Sequence, residues 1–291
     1  MGSSSSDSYE LYRYNPSIPA AVIFIIVFAI VTIYHAYLMF RARSWYFTCF
    51  ALGGIFQVIG YITRALAHNN TQNVSIYAVQ TILVLLAPPL YAASIYMTLG
   101  RLIAHLDAEP LSLVSIRWLT GIFVTGDVIS FLMQGAGGGI MSSGTASGMT
   151  LGENVIMGGL AVQLIFFSIF VIFASLFHFR IRKTPTQKSS ISGIAQTGWR
   201  NPSWETIMVG LYSASVFILI RSIFRLIEYA GGNDGFLISH EVFSYIFDAL
   251  LMFFTMVVMG AFHPSKVLNT GGKEHRVDSQ ESVQLRRVPS V

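Results

Sequence analysis

The stretch RSIFRLIEYAGG, residues 221–232, carries charged side chains inside an apolar segment of helix length. Arg221, Arg225 and Glu228 are spaced so that a regular helix places all three on one face. A charge at the centre of a bilayer costs about 2.5–3.5 kcal/mol on insertion scales, and such residues face a bundle interior or a cavity. The stretch therefore predicts a membrane helix with its charged face turned towards other helices.

The composition of the whole chain is that of a membrane protein. Of the 291 residues, 53% are hydrophobic and 11% are charged, and the mean hydropathy is +0.60. A soluble domain of average usage has roughly 25% charged residues. The formal net charge is +4, but the basic residues lie beside apolar segments, which argues against a nucleic-acid partner. The single cysteine, Cys49, excludes an intrachain disulfide.

Seven segments are long and apolar enough to cross a bilayer, which takes about 20 residues of helix. The sequence therefore predicts an all-α, seven-transmembrane-helix bundle within a transmembrane domain at residues 17–264. Residues 1–16 lack the features of a cleaved signal peptide, and the polar, basic tail at 265–291 is expected to be disordered. The predicted spans are residues 17–40, 45–67, 74–103, 113–136, 153–179, 203–230 and 239–262.

The basic residues determine the predicted orientation of the bundle. Of the 18 Lys and Arg residues, all but Arg13, Arg64, Arg221 and Arg225 fall in the connections on one side or in the C-terminal tail. By the positive-inside rule this side is cytosolic, so the N-terminus is extracellular and the C-terminus cytosolic. Two glycosylation triplets in a connection predicted to be external begin at Asn69 and Asn73, the candidate glycosylation sites.

Polar side chains inside six of the seven spans are predicted to gather in the outer half of the bilayer. One interpretation is a solvated cavity open to the exterior, in which arginines bind anionic or hydroxylated head groups. The other is a structural network of mutual pairs that joins the helices, and the two are compatible. The candidate ligand-binding residues are Gln57, Tyr61, Arg64, Gln80, Asp127, Gln134, Gln163, Arg221, Arg225, Glu228, Glu241, Tyr245 and Asp248.

Two stretches rich in proline or glycine predict irregular backbone. Pro88 and Pro89 fall inside the third predicted span, and a kink or break is expected because each lacks the N–H that a helix uses. The sequence GAGGGIMSSGTASG, residues 135–148, is expected to form a flexible or re-entrant connection. The sequence contains no GxxxxGK[ST] motif, so the chain has no ATP-driven motor of its own.

Several short stretches together carry a family resemblance that covers residues 14–264. They are Gln57-x-x-Gly60-Tyr61-x-x-Arg64, QTILVLLAPPLYAASIYMTLGR from Gln80, DVISFLMQGAGGG from Asp127, GGLAVQL from Gly158, RSIFRLIEYAGG, HEVFSYIFDAL from His240, and His263-Pro264. In these stretches the chain resembles the fungal lipid-translocating exporter family, the RTA-like group named for aminocholesterol resistance. One departure is Gln57, because the family pattern usually has an acid before the Gly-Tyr pair.

The resemblance implies a seven-span plasma-membrane protein linked to sphingoid-base release, lipid asymmetry and resistance to toxic lipids or drugs. One branch of the family is linked to porphyrin movement. The resemblance leaves open whether such proteins transport lipid directly or sense it and signal. If the family acid pairs with an arginine or takes up a proton, Gln57 implies a different coupling or ligand preference in this chain.

Three classes of function fit a seven-helix membrane protein. The sequence favours a translocator of amphipathic lipid, which shelters a polar head group from hydrocarbon, and the resemblance implies sphingoid bases, lysolipids or sterol-like amphiphiles as its ligands. A receptor fits less well, because span three does not end in an acid-Arg-aromatic triplet and span seven lacks Asn-Pro-x-x-Tyr; a lipid sensor of another type remains open. A zinc-dependent hydrolase needs several histidines at one depth, and His35, His240 and His263 are spread over both halves. We therefore predict no enzyme activity, no metal and no cofactor.

Overall fold

The computed structural model describes residues 16–69, 73–141, 145–190, 203–231, 236–237 and 240–268. All regular elements in these ranges are helices, and seven are long and apolar enough to span a membrane, which confirms the predicted fold class. The predicted tails at 1–16 and 265–291 lie almost wholly outside the described residues, apart from a short helix at Ser265–Leu268. The seven helices are α1 (Ile18–Ala42), α2 (Thr48–Ala67), α3 (Val74–His105), α4 (Ile116–Met141), α5 (Ala146–Lys183), α6 (Trp204–Ala230) and α7 (Glu241–Ala261).

The two ends of the bundle differ in charge. We call the end at which α1, α3, α5 and α7 begin the N-terminal face, and the opposite end the C-terminal face. At the C-terminal face Arg182 pairs with Glu205 at 3.2 Å, and Lys188 pairs with Asp107 at 2.7 Å. The same face carries Arg41, Arg43, Arg101, Arg180 and Lys183 at or near helix ends. The charge asymmetry behind the predicted orientation is therefore a property of the folded bundle.

α3 continues through both of its prolines. The helix is unbroken from Val74 to His105 with Pro88 and Pro89 inside it, so of the expected kink or break the break does not occur. A membrane helix tolerates proline where neighbouring groups satisfy the carbonyl oxygen that has lost its N–H donor. Close packing against α2 supports this segment, since a Cβ atom added at Gly53 would lie 2.7 Å from the ring of Tyr91.

The glycine-rich stretch at 135–148 is mostly helical. α4 extends to Met141 and α5 begins at Ala146, while residues 142–144 lie outside the described residues. Gly137 and Gly152 bring the two helices close together, because a Cβ atom on either would lie within 2.7 Å of the other's carbonyl oxygen. The prediction of a flexible or re-entrant connection was wrong here, because glycines that let two membrane helices approach have the same composition as glycines of a loop.

α7 contains a π-helical turn. Glu241–Ser244 and Leu251–Ala261 are α-helical, and Tyr245–Leu250 between them is wound as a π-helix. Such turns are rare in proteins overall, and those that occur are often found at functional sites. Asp248, one of the candidate residues, lies inside this turn.

Candidate functional site

Asp248 is bound by two arginines of α6. Its carboxylate accepts hydrogen bonds from Arg221 Nε and from Arg225 Nη2. Arg225 also donates to the carboxylate of Glu228, one turn further along α6, at 2.8 Å. The side chains of Arg221 and Asp248 are 1% and 2% exposed, so this pair is fully removed from the surroundings of the bundle. The face predicted from residues 221–232 is thus the face that joins α6 to α7.

Arg221 also donates to a backbone carbonyl oxygen of α3 that a proline leaves without its helical donor. In an α-helix the N–H of residue 88 would donate to the carbonyl oxygen of Val84, but Pro88 has no N–H. Arg221 Nη2 donates to that oxygen at 3.0 Å. The arginine therefore satisfies a backbone acceptor that the proline leaves open, which a buried carbonyl in hydrocarbon requires.

A second ion pair joins the ends of α2 and α7 at the N-terminal face. Arg64 Nη2 donates to Glu241 at 3.2 Å, and Arg64 Nε donates to the hydroxyl oxygen of Tyr245 at 3.2 Å. Both carboxylate oxygens of Glu241 also accept from the backbone N–H of Ser17, at 3.0 Å each. Because Ser17 precedes the first turn of α1, the carboxylate is placed where a helix N-terminus attracts negative charge.

An aromatic cluster packs beside this ion pair. Tyr61 of α2 stacks on Phe24 and Phe28 of α1, with ring centroids 5.7 and 5.5 Å apart, and on Tyr245 at 6.1 Å. The Arg64 guanidinium lies 5.0 Å from the centroid of the Tyr245 ring, within the range of a cation–π interaction. The aromatic rings therefore cover one side of the Arg64–Glu241 ion pair.

We call the six charged residues described above the charge network. It comprises three cations and three acids, so its formal charge is zero, and its side chains are between 1% and 15% exposed. Mutual pairing satisfies these groups where there is no water to do so. Among the described residues they therefore bind one another, which is the mutual pairing that the structural-network interpretation expects. The charge network consists of Arg64, Arg221, Arg225, Glu228, Glu241 and Asp248.

The remaining acid, Asp127, belongs to a different group on α3, α4 and α5. Tyr96 donates its hydroxyl hydrogen to Asp127 Oδ2 at 3.0 Å. Asp127 Oδ1 is buried and has no hydrogen-bond partner among the described residues. Two turns further along α4, Gln134 Nε2 donates to Ser130 Oγ at 2.8 Å and to Gln163 Oε1 at 3.2 Å. Three candidate residues, Asp127, Gln134 and Gln163, thus form hydrogen bonds outside the charge network, and two of them lie on α4.

A cleft opens between α3, α4, α5 and α6 near the N-terminal face. It encloses about 780 Å³ of space free of atoms, part of it open to the surroundings. None of the described residues that line it is charged. Its wall includes Thr81 and Leu85 of α3, Gln134 and Gly138 of α4, Ile156 of α5 and Tyr229 of α6.

Three glycines of α4 shape one wall of this cleft. A Cβ atom added at Gly135, Gly138 or Gly139 would meet nothing within 4 Å, although all three line the cleft. Gly137, between them in sequence, instead faces α5. The run of glycines thus serves two surfaces, one for helix contact and one for open space.

The two other candidate glutamines, on α2 and α3, are both buried. Gln57 is fully buried on α2, and neither its amide nitrogen nor its amide oxygen has a partner among the described residues. Gln80 is buried on α3. Sequence reasoning did not single out Tyr96, Val84 or the backbone of Ser17, although the four-residue spacing from Val84 to Pro88 was a usable signal.

The match to known proteins covers most of the chain. A family model described as RTA1 like protein matches residues 50–271. The chain belongs to the RTA1-like family. The resemblance predicted from the sequence is therefore confirmed, and the charge network and the cleft both lie within the segment that the RTA1-like model matches.

Relatives in the RTA1-like family include proteins named for lipid transport. Protein RTM1 of Saccharomyces cerevisiae is 35% identical, with 89% of this chain and 94% of that protein aligned. Probable lipid transporter atnI of Emericella nidulans is 30% identical, with 89% and 68% aligned. Sphingoid long-chain base transporter RSB1 of Saccharomyces cerevisiae is 28% identical, with 86% and 72% aligned. No solved structure matches the chain.

Proposed function

We propose that this protein is a plasma-membrane translocator of amphipathic lipids, of the class that includes sphingoid bases, and that it confers resistance to toxic lipids or drugs. Its seven membrane helices and its relatives named as lipid transporters support this role. On this proposal it is a binding and transport protein and not an enzyme. Its ligands come from the bilayer itself.

The observation that carries the proposal is the cleft between α3, α4, α5 and α6, whose described lining residues carry no charge. A lipid that crosses a bilayer must keep its head group out of hydrocarbon while its chain stays in an apolar environment. A cleft lined by apolar side chains with a few polar groups meets both requirements. The cleft lies towards one end of the helices, so passage to the other end requires the helices to rearrange.

The charge network is connected to two walls of the cleft. Val84, whose carbonyl oxygen accepts from Arg221, is followed by Leu85, which lines the cleft. Glu228, the partner of Arg225, is followed by Tyr229, which lines the opposite wall. We infer that widening of the cleft strains these pairs, and that the network holds α3 and α6 in the closed arrangement.

Transport can be tested with purified protein in liposomes that contain a fluorescently labelled sphingoid base. A membrane-impermeant quencher then reports how much label stays protected in the inner leaflet over time. Gly138→Leu places a side chain in the cleft at a position where an added Cβ atom meets nothing within 4 Å, and we expect it to reduce the rate of movement at least several-fold. Gly121→Leu is the matched control, because it lies on the same helix, has equally free space and does not line the cleft.

Three outcomes discriminate among the functions. Movement by the wild type and the Gly121→Leu variant, with loss in Gly138→Leu, supports translocation through the cleft. Equal movement by all three proteins would sink the role of the cleft. Binding of the labelled lipid without any movement would favour the lipid sensor, which the confinement of the cleft to one end of the helices also fits.

The proposed orientation places the N-terminal face outside the cell and the C-terminus in the cytosol. It rests on the basic residues of the C-terminal face and on the positive-inside rule. Asn69 and Asn73 then lie on the exposed, glycosylated side. When the protein is expressed in yeast, glycosidase treatment should lower its apparent mass on gel electrophoresis. The same treatment should not change the apparent mass of the Asn69→Gln, Asn73→Gln double variant. A fluorescent C-terminal fusion should label the cell periphery, and intracellular retention of folded protein would contradict the assignment to the plasma membrane.

A further inference from the structure

The side-chain amide of Gln134 is held in one orientation by its neighbours. Ser130 Oγ lies 2.7 Å from the carbonyl oxygen of Gly159, which can only accept, so the Ser130 hydroxyl donates there. Its oxygen must therefore accept from the Gln134 atom at 2.8 Å, which makes that atom the amide nitrogen. The same nitrogen donates to Gln163 Oε1 at 3.2 Å. Both amide hydrogens are thus used within the protein.

The amide oxygen of Gln134 is left as an acceptor without a donor. Gln134 is 4% exposed and lines the cleft, and its Oε1 has no hydrogen-bond partner among the described residues. A buried polar atom without a partner is unfavourable, so an occupant that donates to it gains that interaction. The chemistry required of such an occupant is an O–H or N–H group.

The rest of the wall limits the charge of that group. The described lining residues are apolar, aromatic, hydroxyl-bearing or amide-bearing, and none is ionised. An ammonium or phosphate placed among them would lack a counter-charge in a region with little water. A neutral alcohol meets both conditions, since it donates one hydrogen bond and carries no charge.

We propose that the cleft binds the uncharged, hydroxyl-bearing part of an amphiphile, with its hydroxyl donating to Gln134 Oε1 and its hydrocarbon packed against Leu85, Phe131 and Ile156. This inference rests on the proposed function and names the chemical class of ligand for the same cleft. Any charged head group of the amphiphile lies outside the cleft. The glycines at 135, 138 and 139 provide the space that the hydrocarbon fills.

Two photoreactive probes test this site directly. One is a long-chain alcohol with a diazirine in its chain, and the other is its methyl ether, which has the same chain but no donor. We expect the alcohol to label wild-type protein in nanodiscs at cleft residues such as Met141 and Met149. One neutral hydrogen bond corresponds to roughly a 3- to 10-fold preference for the alcohol over the ether at sub-saturating probe.

Variants locate the preference. Gln134→Met keeps the length of the side chain and removes the acceptor, so the two probes should label it equally. Gly138→Leu should abolish labelling by both probes, and Gly121→Leu should leave the labelling and the preference unchanged. If Gln134→Met does not fold, the wild-type comparison and the pair of glycine variants remain decisive. Equal labelling of wild type by alcohol and ether, or labelling that Gly138→Leu does not reduce, would overturn the proposed site.

The probe experiment tests the hydroxyl site and the transport experiment tests translocation, so either claim can be rejected without the other. A clear preference for the alcohol in protein that moves no lipid across liposomes supports the hydroxyl site and rejects translocation. Lipid movement by protein that binds alcohol and ether equally well supports translocation and rejects the hydroxyl site.

Discussion

Arg221 of α6 donates a hydrogen bond to the carbonyl oxygen of Val84 on α3, at 3.0 Å. That oxygen has no helical donor, because residue 88 is a proline. A side chain of α6 therefore supplies the hydrogen bond that this carbonyl oxygen of α3 lacks. The contact fixes the position of α6 along the axis of α3. The contact is also a link between the charge network and the cleft wall at Leu85.

This contact predicts coupling between Pro88 and Arg221. Pro88→Ala restores a backbone N–H that can donate to Val84, so the loss of the arginine's hydrogen bond should matter less in that background. We expect Arg221→Lys to destabilise the Pro88→Ala protein by about 1 kcal/mol less than it destabilises the wild type. The measurement is a double-mutant cycle on the free energy of unfolding in mixed micelles.

Pro89 provides the control for that cycle. Pro89→Ala restores a donor one residue further along, which faces the carbonyl oxygen of Leu85 and not that of Val84. It should show no coupling to Arg221→Lys. Equal coupling for both prolines would mean that helix flexibility, and not the Val84 carbonyl, explains the effect.

In the charge network, replacing the shared acid Asp248 should cost more stability than replacing the arginine Arg221. Asp248→Asn leaves Arg221 and Arg225 without the carboxylate that they share, and we expect it to lower the free energy of unfolding by about 3–5 kcal/mol. Arg221→Met should be less damaging, because Asp248 keeps Arg225. The double variant Arg221→Met, Asp248→Leu should recover stability relative to Asp248→Asn, since an apolar pair replaces a buried ionic one. A double variant less stable than Asp248→Asn would contradict this account.

The two kinds of glycine in α4 predict opposite responses to alanine. Gly137→Ala puts a methyl group 2.7 Å from the carbonyl oxygen of Gly152, so we expect it to destabilise the α4–α5 contact by about 1–3 kcal/mol. Gly135→Ala meets nothing within 4 Å and should be neutral or stabilising by up to about 1 kcal/mol. Thermal unfolding of the purified variants checks both. A similar loss for the two would show that the free space beside Gly135 is not present in solution.

The unpaired amide of Gln57 predicts a stabilising substitution. Both of its polar atoms are buried without a partner among the described residues, which is unfavourable by about 1–3 kcal/mol. Gln57→Met keeps the shape and removes the polar atoms, so the midpoint of thermal unfolding should rise by a few degrees. Gln163→Met is the comparison, because it removes an acceptor that Gln134 uses, and its midpoint should fall. A fall for Gln57→Met would mean that the amide has partners in the membrane-embedded protein.

Hydropathy and charge spacing were sufficient to predict the seven spans and the shared face of Arg221, Arg225 and Glu228. They could not predict which acid each arginine binds, because helix spacing gives the face of a helix and not its neighbours. Asp127 illustrates this limit: it was grouped with the other acids by depth, yet it binds Tyr96 on a different helix pair. The cleft was equally hidden, since the difference between Gly137 and Gly138 depends on which direction each faces.

The π turn at Tyr245–Leu250 has a consequence for insertions and deletions in α7. Loss of a single residue within it would let the segment wind as a regular α-helix with nearly the same total rotation, because a π turn holds one residue more than an α turn. Glu241 would then keep its direction towards Arg64 and towards the backbone amide of Ser17. The same deletion within Leu251–Ala261, which is regular α-helix, would instead rotate the segment before it by about 100° relative to the residues after it. A one-residue deletion in the π turn should therefore be tolerated, whereas one within Leu251–Ala261 should detach Glu241 from α1 and α2 at once.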